Sequence, residues 1–293
     1  MKTVLISGSG SGMGLLTAQT LIRQGYAVYA GVRDPHGRSA GRREALERYA
    51  TEHGGYVRVI DMDIHSEESC QAAVDQLVAD HGHLDVVIHN AAHLFIGVFE
   101  GFTPDQLTDC LNTNVVGAHR LNRAAIPQMR KQGNGVLLYV GSTISRIVTP
   151  FVGPYIAGKY ALDALAEVTA YEINRFGIET VIVMPGIFPD GTAHFESAVH
   201  PGDDDAVEGY EKFKADFDNI GPGLRALLRG ADAPIQGVAD EIARVLALPK
   251  GDKPMRTIID YSDYGTPVIN AVVETQTARV FQMMGYEHLL KVS

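Results

Sequence analysis

The sequence predicts an α/β fold: a doubly wound, mainly parallel sheet of about seven strands with helices on both faces. Short runs of β-branched and other apolar residues recur along the chain, and longer segments with helical spacing separate them. Such alternation requires right-handed crossovers and places a ligand at the carboxyl ends of the strands.

Seven apolar runs are the predicted strands. Each of the first six is bounded by Gly or Asp, and their nearly continuous hydrophobicity is typical of strands buried on both faces. The seventh follows a long polar insertion. The runs are residues 3–7, 26–32, 56–62, 84–90, 135–142, 178–186 and 255–261.

Two intervening segments show helix boundaries clearly. Residues 14–25 space their apolar side chains for one helix face and end at Gly25. Residues 66–82 begin with Ser66, an expected N-cap, and end at Gly82.

We expect one domain over residues 1–293, with residues 1–186 as its cofactor-binding and catalytic core. Residues 187–232 are rich in Gly, Pro and Asp and are predicted to form a substrate lid, the alternative being a solvated insertion. Residues 233–264 supply the last helix and strand. Residues 265–293 form a helical tail that packs on the body or on a second subunit.

The composition of the chain argues against several classes of function. The 293 residues carry a formal charge of -10, which argues against nucleic acid or an anionic membrane as partner. Two cysteines outside any CxxC pattern, and an N-terminus that reaches a glycine-rich turn before a signal peptide could form, favour a cytoplasmic location. No metal is expected, because His81 and His83 have no further ligands at suitable spacing.

A glycine-rich turn lies between the first strand and the first helix. Glycines occupy positions 8, 10, 12 and 14 in the segment SGSGSGMG. They permit a tight turn and close approach of a phosphate to the N-terminus of the following helix.

The segment YIAGKYA places Tyr155 and Lys159 one helical turn apart. A lysine on the same helix face is expected to lower the pKa of a tyrosine. Tyr160 is expected to pack in the core.

These motifs, in their order, resemble the short-chain dehydrogenases/reductases. Ser7–Gly14 is similar to the family's T-G-x-x-x-G-x-G turn, HNAA at 89–92 to its N-N-A-G segment, and GSTIS at 141–145 to its serine motif. NVVG at 114–117, the Y-x-x-x-K of Tyr155 and Lys159, and Pro185 with Gly186 complete the set. His89 and Ala92 depart from the family pattern.

The resemblance implies a Rossmann-like fold with Asn114, Ser142, Tyr155 and Lys159 as catalytic residues. Tyr155 is the proton donor, Ser142 binds the substrate oxygen, Lys159 also binds the ribose, and Asn114 anchors a water. The resemblance further implies cofactor contacts from Gly8, Ser11, Gly12, Met13, Gly14, Arg33, Asp63, Asn90, Ala91, Tyr155, Lys159, Pro185 and Gly186.

The end of the second strand favours NADP over NAD. Val32 stands where NAD-specific members carry an acidic residue, and Arg33 follows it, although Asp34 and Ser11 weaken this preference. Arg38, Arg42 and Arg43 contribute if their loop folds inward.

The sequence therefore predicts an NADP(H)-dependent reductase of ketones or dehydrogenase of secondary alcohols, acting as a homodimer or homotetramer. Three alternatives remain open: an NAD-dependent alcohol dehydrogenase of the same family, an epimerase or dehydratase that reuses Y-x-x-x-K, and a dinucleotide-binding regulatory protein without turnover.

Overall fold

A seven-stranded parallel sheet forms the centre of the molecule. The computed structural model describes residues 1–262 and 264–292, and the strand order β3-β2-β1-β4-β5-β6-β7 confirms the predicted fold class. The strands are β1 (Thr3–Ser7), β2 (Ala27–Val32), β3 (Tyr56–Asp61), β4 (Val86–His89), β5 (Gly135–Val140), β6 (Ile178–Pro185) and β7 (Arg256–Ile259). Every predicted strand is present, trimmed by up to two residues at an end.

Helices alternate with these strands as predicted. Their bounds are α1 (Gly12–Arg23), α2 (Ala40–Glu52), α3 (Glu67–His81), α4 (Pro104–Leu111), α5 (Gly117–Gln132), α6 (Gly153–Ile173), α7 (Asp204–Glu208), α8 (Lys214–Asp218), α9 (Ile220–Leu227), α10 (Gln236–Leu246) and α11 (Thr266–Met284). A π-helical turn, Asn112–Val116, joins α4 to α5.

The sheet separates two hydrophobic cores. Successive strand residues point to opposite faces, so Val4 and Ile6 pack with α1, α2 and α10, whereas Leu5 packs with α3, α5 and α6. All residues of β1 and β6 are buried. This explains why the middle of each strand, residues 4–6 and 181–184, is continuously apolar rather than alternating.

The predicted helix boundaries have clear physical causes. Ser66 accepts a hydrogen bond from the Ser69 amide at 3.1 Å, and Gly82 ends α3 with φ 77°. Helix α1 starts two residues earlier than predicted, at Gly12 within the glycine turn.

The insertion after β6 forms short helices, α7 to α9, over the carboxyl edge of the sheet. None of the residues within these three helices is buried. The insertion is joined to the body by a bridge between Phe95 and Val199, in which the Val199 amide donates to Leu94 at 2.8 Å.

Both ends of the C-terminal tail pack on the body. Asn270 of α11 is buried and accepts a 2.6 Å hydrogen bond from Arg146, and the Phe281 ring lies 4.7 Å from that of Tyr171. Much of the outer face of α11 is apolar and exposed. Ser293, the last residue of the predicted tail, lies outside the described residues. Within the described ranges no helix has the length and hydropathy needed to span a membrane.

Candidate active site

A cavity of about 860 Å³ lies at the carboxyl ends of the strands, between the glycine turn and the insertion after β6. Most of the residues predicted for the site line it. They are Gly8, Ser11, Gly12, Met13, Arg33, Asn90, Ala91, Ser142, Tyr155, Lys159, Pro185 and Gly186. Gly14, Asp63 and Asn114 do not line it.

The glycine turn is shaped by close main-chain packing. A Cβ atom on Gly14 would lie 2.3 Å from the Gly8 carbonyl oxygen and 2.4 Å from Nδ2 of the Asn90 side chain. That Asn90 amide donates to the carbonyl oxygens of Ser7 and Gly8 at 3.0 and 3.1 Å. Gly14 is therefore required for packing, and Asn90 braces the turn as well as lining the cavity.

The turn suits a phosphate group. Gly12 adopts φ 54°, and a Cβ there would meet only Thr192 at 3.8 Å, so the space in front of α1 is open. The Ser11 side chain makes no capping hydrogen bond to α1. The first main-chain N–H groups of a helix bind anions, and nothing in this turn competes for them.

Three arginines line the cavity at the end of β2: Arg33, Arg38 and Arg42. Asp34 does not line it, because its carboxylate accepts a hydrogen bond from the Arg38 amide at 2.9 Å. Arg43 also lies outside the lining and forms an ion pair with Glu44. This end of the cavity is consequently basic.

Asp63 does not line the cavity, and its contact with the cofactor stays a prediction. One carboxylate oxygen of Asp63 accepts a hydrogen bond from the His65 amide at 3.0 Å, which holds it in the turn before α3. Its neighbours Met62 and Ile64 line the cavity instead.

Ser142, Tyr155 and Lys159 meet at the centre of the cavity. Ser142 follows β5, and its hydroxyl donates to the Pro185 carbonyl oxygen at 3.4 Å and accepts from the Ile144 amide at 3.3 Å. Tyr155 and Lys159 lie on one face of α6, with the ammonium nitrogen 5.6 Å from the tyrosine ring centroid. Lys159 is buried and donates to the Val140 carbonyl oxygen at 2.9 Å.

Burial controls the ionisation of this group. It raises the pKa of Tyr155 above its usual value, more than the nearby Ser142 hydroxyl lowers it, and lowers the pKa of Lys159 to about 8. The expectation that Lys159 lowers the pKa of Tyr155 is therefore wrong here. The phenol is protonated at neutral pH, the form that donates a proton.

Asn114 lies beside the cavity in the π-helical turn. Its side chain binds the main chain of His93 in both directions, accepting from the amide at 2.8 Å and donating to the carbonyl oxygen at 2.9 Å. It also donates to the Cys110 sulfur at 3.4 Å. The side chain is therefore engaged with protein, and only the main chain of Asn114 is available to anchor a water.

A buried ion network, which the sequence reasoning missed, joins α6 to the serine loop, residues 141–146 after β5. Asp163, one turn beyond Lys159, binds Arg146 at 3.0 Å and Arg256 at 2.6 Å. Arg256 also binds Glu167 at 2.5 Å. The acidic side chains share the helix face of Tyr155 and Lys159, and that i, i+4 spacing is a signal that could have identified them.

The prediction that Tyr160 packs in the core is wrong. Its side chain is 38% exposed. One residue along a helix turns the side chain by about 100°, which points Tyr160 away from the sheet that buries Lys159.

The insertion after β6 contributes lining residues that the sequence reasoning did not assign to the site. Among them are Thr192, Phe195, Ile220, Leu224 and Leu227. His93 and His194 also line the cavity, and His194 packs edge-on against Tyr155 at 5.6 Å between ring centroids. Among the described residues no group of three potential metal ligands comes together.

Comparison with known proteins places the chain among oxidoreductases. The family model described as short chain dehydrogenase matches residues 2–200. A retinol dehydrogenase 8 of Bos taurus is 30% identical over 280 residues, which are 92% of this chain and 84% of that protein.

Two further proteins are similar to this chain, one over about two thirds of its length and one over nearly all of it. A 3-ketodihydrosphingosine reductase of Bacteroides thetaiotaomicron is 32% identical over 190 residues, 65% of this chain, and the match spans 65% of its own length. The crystal structure of a short-chain dehydrogenase from Streptomyces avermitilis has a TM-score of 0.74 and 26% identity, and the match covers 97% of this chain and 98% of that one.

Proposed function

The chain belongs to the short-chain dehydrogenase family, and from this membership we propose that it transfers a hydride between NADP(H) and a ketone or secondary alcohol, with Tyr155 as general acid and base. The observation that carries the proposal is the meeting of Ser142, Tyr155 and Lys159 in one cavity with the glycine turn.

The cavity residues fit a nicotinamide dinucleotide. The open turn before α1 suits the pyrophosphate, and Arg33, Arg38 and Arg42 suit the 2′-phosphate of NADP, because a guanidinium forms charge-assisted bidentate hydrogen bonds with phosphate. Pro185 and Gly186, at the end of β6, would contact the nicotinamide half. When bound, the cofactor supplies or accepts the hydride.

The protein's own groups handle the proton. Tyr155, protonated at neutral pH, donates to the carbonyl oxygen as negative charge develops on it. Ser142 donates a second hydrogen bond to that oxygen, a stabilisation that is strong in a site shielded from water.

Lys159 and Asn114 would return the proton. With its pKa lowered to about 8, Lys159 can lose and regain a proton near neutral pH. A water held by the main-chain carbonyl of Asn114 would connect the lysine to solvent, since a π-helical turn departs from the regular i→i−4 bonding of the helix.

We propose a homodimer or homotetramer in which α5 and α6 pack against their counterparts. Exposed Val116, Tyr160 and Val168, on α6 and the π-helical turn before α5, support this. The two cysteines, Cys70 and Cys110, are buried free thiols, which supports a cytoplasmic location.

The test is the absorbance of reduced cofactor with a panel of ketones and secondary alcohols, using NADP(H) and NAD(H) in turn. Tyr155→Phe keeps the ring and should lower turnover by roughly two to four orders of magnitude. A comparable rate in this variant would refute the mechanism. Faster turnover with NAD would favour the NAD-dependent alternative, and cofactor binding without turnover would favour a regulatory protein.

A further inference from the structure

Two histidines with unpaired imidazole rings stand in the wall of the cavity. His93 follows β4 and His194 belongs to the lid, and both line the cavity. Hydrogen bonds within residues 1–262 and 264–292 engage only the main chain of these two residues. Their ring nitrogens are therefore available to a ligand.

The His194 ring is held close to the catalytic tyrosine, and His93 is anchored in the wall of the same cavity. The His194 ring meets the Tyr155 ring edge-on at 5.6 Å, and its main-chain amide donates to Thr192 at 3.0 Å. His93 is fixed by the two hydrogen bonds between its main chain and Asn114. His93, His194 and Lys159 all line the same cavity.

The two rings are neutral at physiological pH. Burial is the main cause that lowers the pKa of His194 to about 4, and burial also lowers the pKa of His93. A neutral imidazole offers one N–H donor and one nitrogen acceptor. The two rings can therefore bind a hydroxyl or a carbonyl oxygen.

The surrounding wall is mostly apolar. Leu94, Ile144, Val152, Phe195 and Ile220 line the cavity and pack in one apolar cluster with Tyr155. A hydrocarbon placed against the two histidines would leave their polar atoms without partners once water is displaced, and unpaired polar groups in such a site are costly. A substrate with an oxygen at that place would satisfy them.

We propose that His93 and His194 bind a second oxygen of the substrate, on a carbon adjacent to the reacting carbonyl or one removed from it. The preferred substrates are then hydroxy ketones or diketones that carry an apolar chain, rather than plain ketones. This inference rests on the proposed function and narrows its substrate class.

The experiment compares matched substrates of equal chain length: a 2-alkanone, its 1-hydroxy derivative and its 4-hydroxy derivative. The parent should reduce the better hydroxy ketone with a kcat/KM roughly tenfold or more above that of the 2-alkanone. In His194→Phe, which keeps the ring contact with Tyr155, and in His93→Leu, this ratio should fall towards unity, mainly through a higher KM for the hydroxy ketone.

Two further variants separate hydrogen bonding from packing. His194→Gln keeps a donor and an acceptor and should retain part of the preference. His53→Phe makes the same kind of change at an exposed histidine just after α2, outside the cavity, and should leave the ratio as in the parent.

The outcomes distinguish this inference from the proposed function. If the parent reduces plain and hydroxy ketones equally well, or if the preference survives both His194→Phe and His93→Leu, the histidines do not select the substrate and the inference is wrong. If the parent reduces none of the ketones with either cofactor, the proposed function itself fails.

Discussion

Replacing Asp163 by Asn should destabilise the protein strongly, because the Asp163 carboxylate is shared by two buried guanidinium groups. The side chains of Arg146 and Arg256 are only 9% and 2% exposed, and that of Asp163 is 6% exposed. The substitution keeps the shape of the side chain and removes its charge.

The magnitude follows from the partners that remain. Removing one member of a buried ion pair typically costs about 3–5 kcal/mol, because the other charge is left without compensation. Arg256 keeps its ion pair with Glu167, and Arg146 keeps its hydrogen bonds to Asn270 and to the Ser145 carbonyl oxygen. We therefore expect the free energy of unfolding to fall by about 3 kcal/mol, the lower end of that range.

The assay is urea unfolding followed by circular dichroism at neutral pH, with the midpoint and slope reported for each variant. The matched control is Asp190→Asn, which removes the charge from an ion pair with Arg225 whose side chains are 75% and 56% exposed. That control should change stability little, because surface ion pairs are screened by solvent. If Asp163→Asn were no more destabilising than Asp190→Asn, the network would not hold the structure together as described.

Four other outcomes are expected. Lys159→Met should stabilise the unliganded protein by up to about 3 kcal/mol below pH 8, because folding lowers the pKa of this lysine from 10.5 to about 8 and so disfavours its charged form. This cost of the lysine disappears as the pH rises through the unfolded-state pKa of 10.5. Urea unfolding midpoints at pH 7 and pH 10.5 measure the difference, and an equal effect of the substitution at both pH values would contradict it. Arg33→Ala should weaken NADP binding by about one to two orders of magnitude at fixed salt and NAD binding little, and an equal loss for both cofactors would show that Arg33 does not read the 2′-phosphate. Residues 187–230 should exchange amide hydrogens faster than β1 until ligand is added; equal protection without ligand, unchanged by its addition, would count against a lid. Light scattering should give a dimer or tetramer mass at micromolar concentration, and a monomer mass would refute the proposed assembly.

The fold was predictable because its signals are local. Each buried strand is a continuous apolar run, and residues such as Ser66 and Gly82 mark helix ends through their own side chain or backbone conformation. Much of the site was predictable for a related reason: ordered motifs at strand ends are brought together by any parallel sheet.

What the sequence could not show depends on contacts between distant segments. The partners of Asp163 come from the serine loop and from β7, 17 and 93 residues away. The pKa of Tyr155 depends on how deeply the phenol is buried, which the Y-x-x-x-K spacing does not encode. The error at Tyr160 arose because neighbouring residues on a helix face different surroundings.

The way Asn114 holds position 93 has a consequence for enzyme engineering. The side-chain amide of Asn114 forms hydrogen bonds only with main-chain atoms of residue 93. The path of the loop after β4 therefore does not depend on which side chain residue 93 carries. Position 93 can therefore be randomised in a library while the backbone around Tyr155 and Ser142 is retained. A family of catalysts with different substrate ranges could be selected from this one scaffold by changing a single codon.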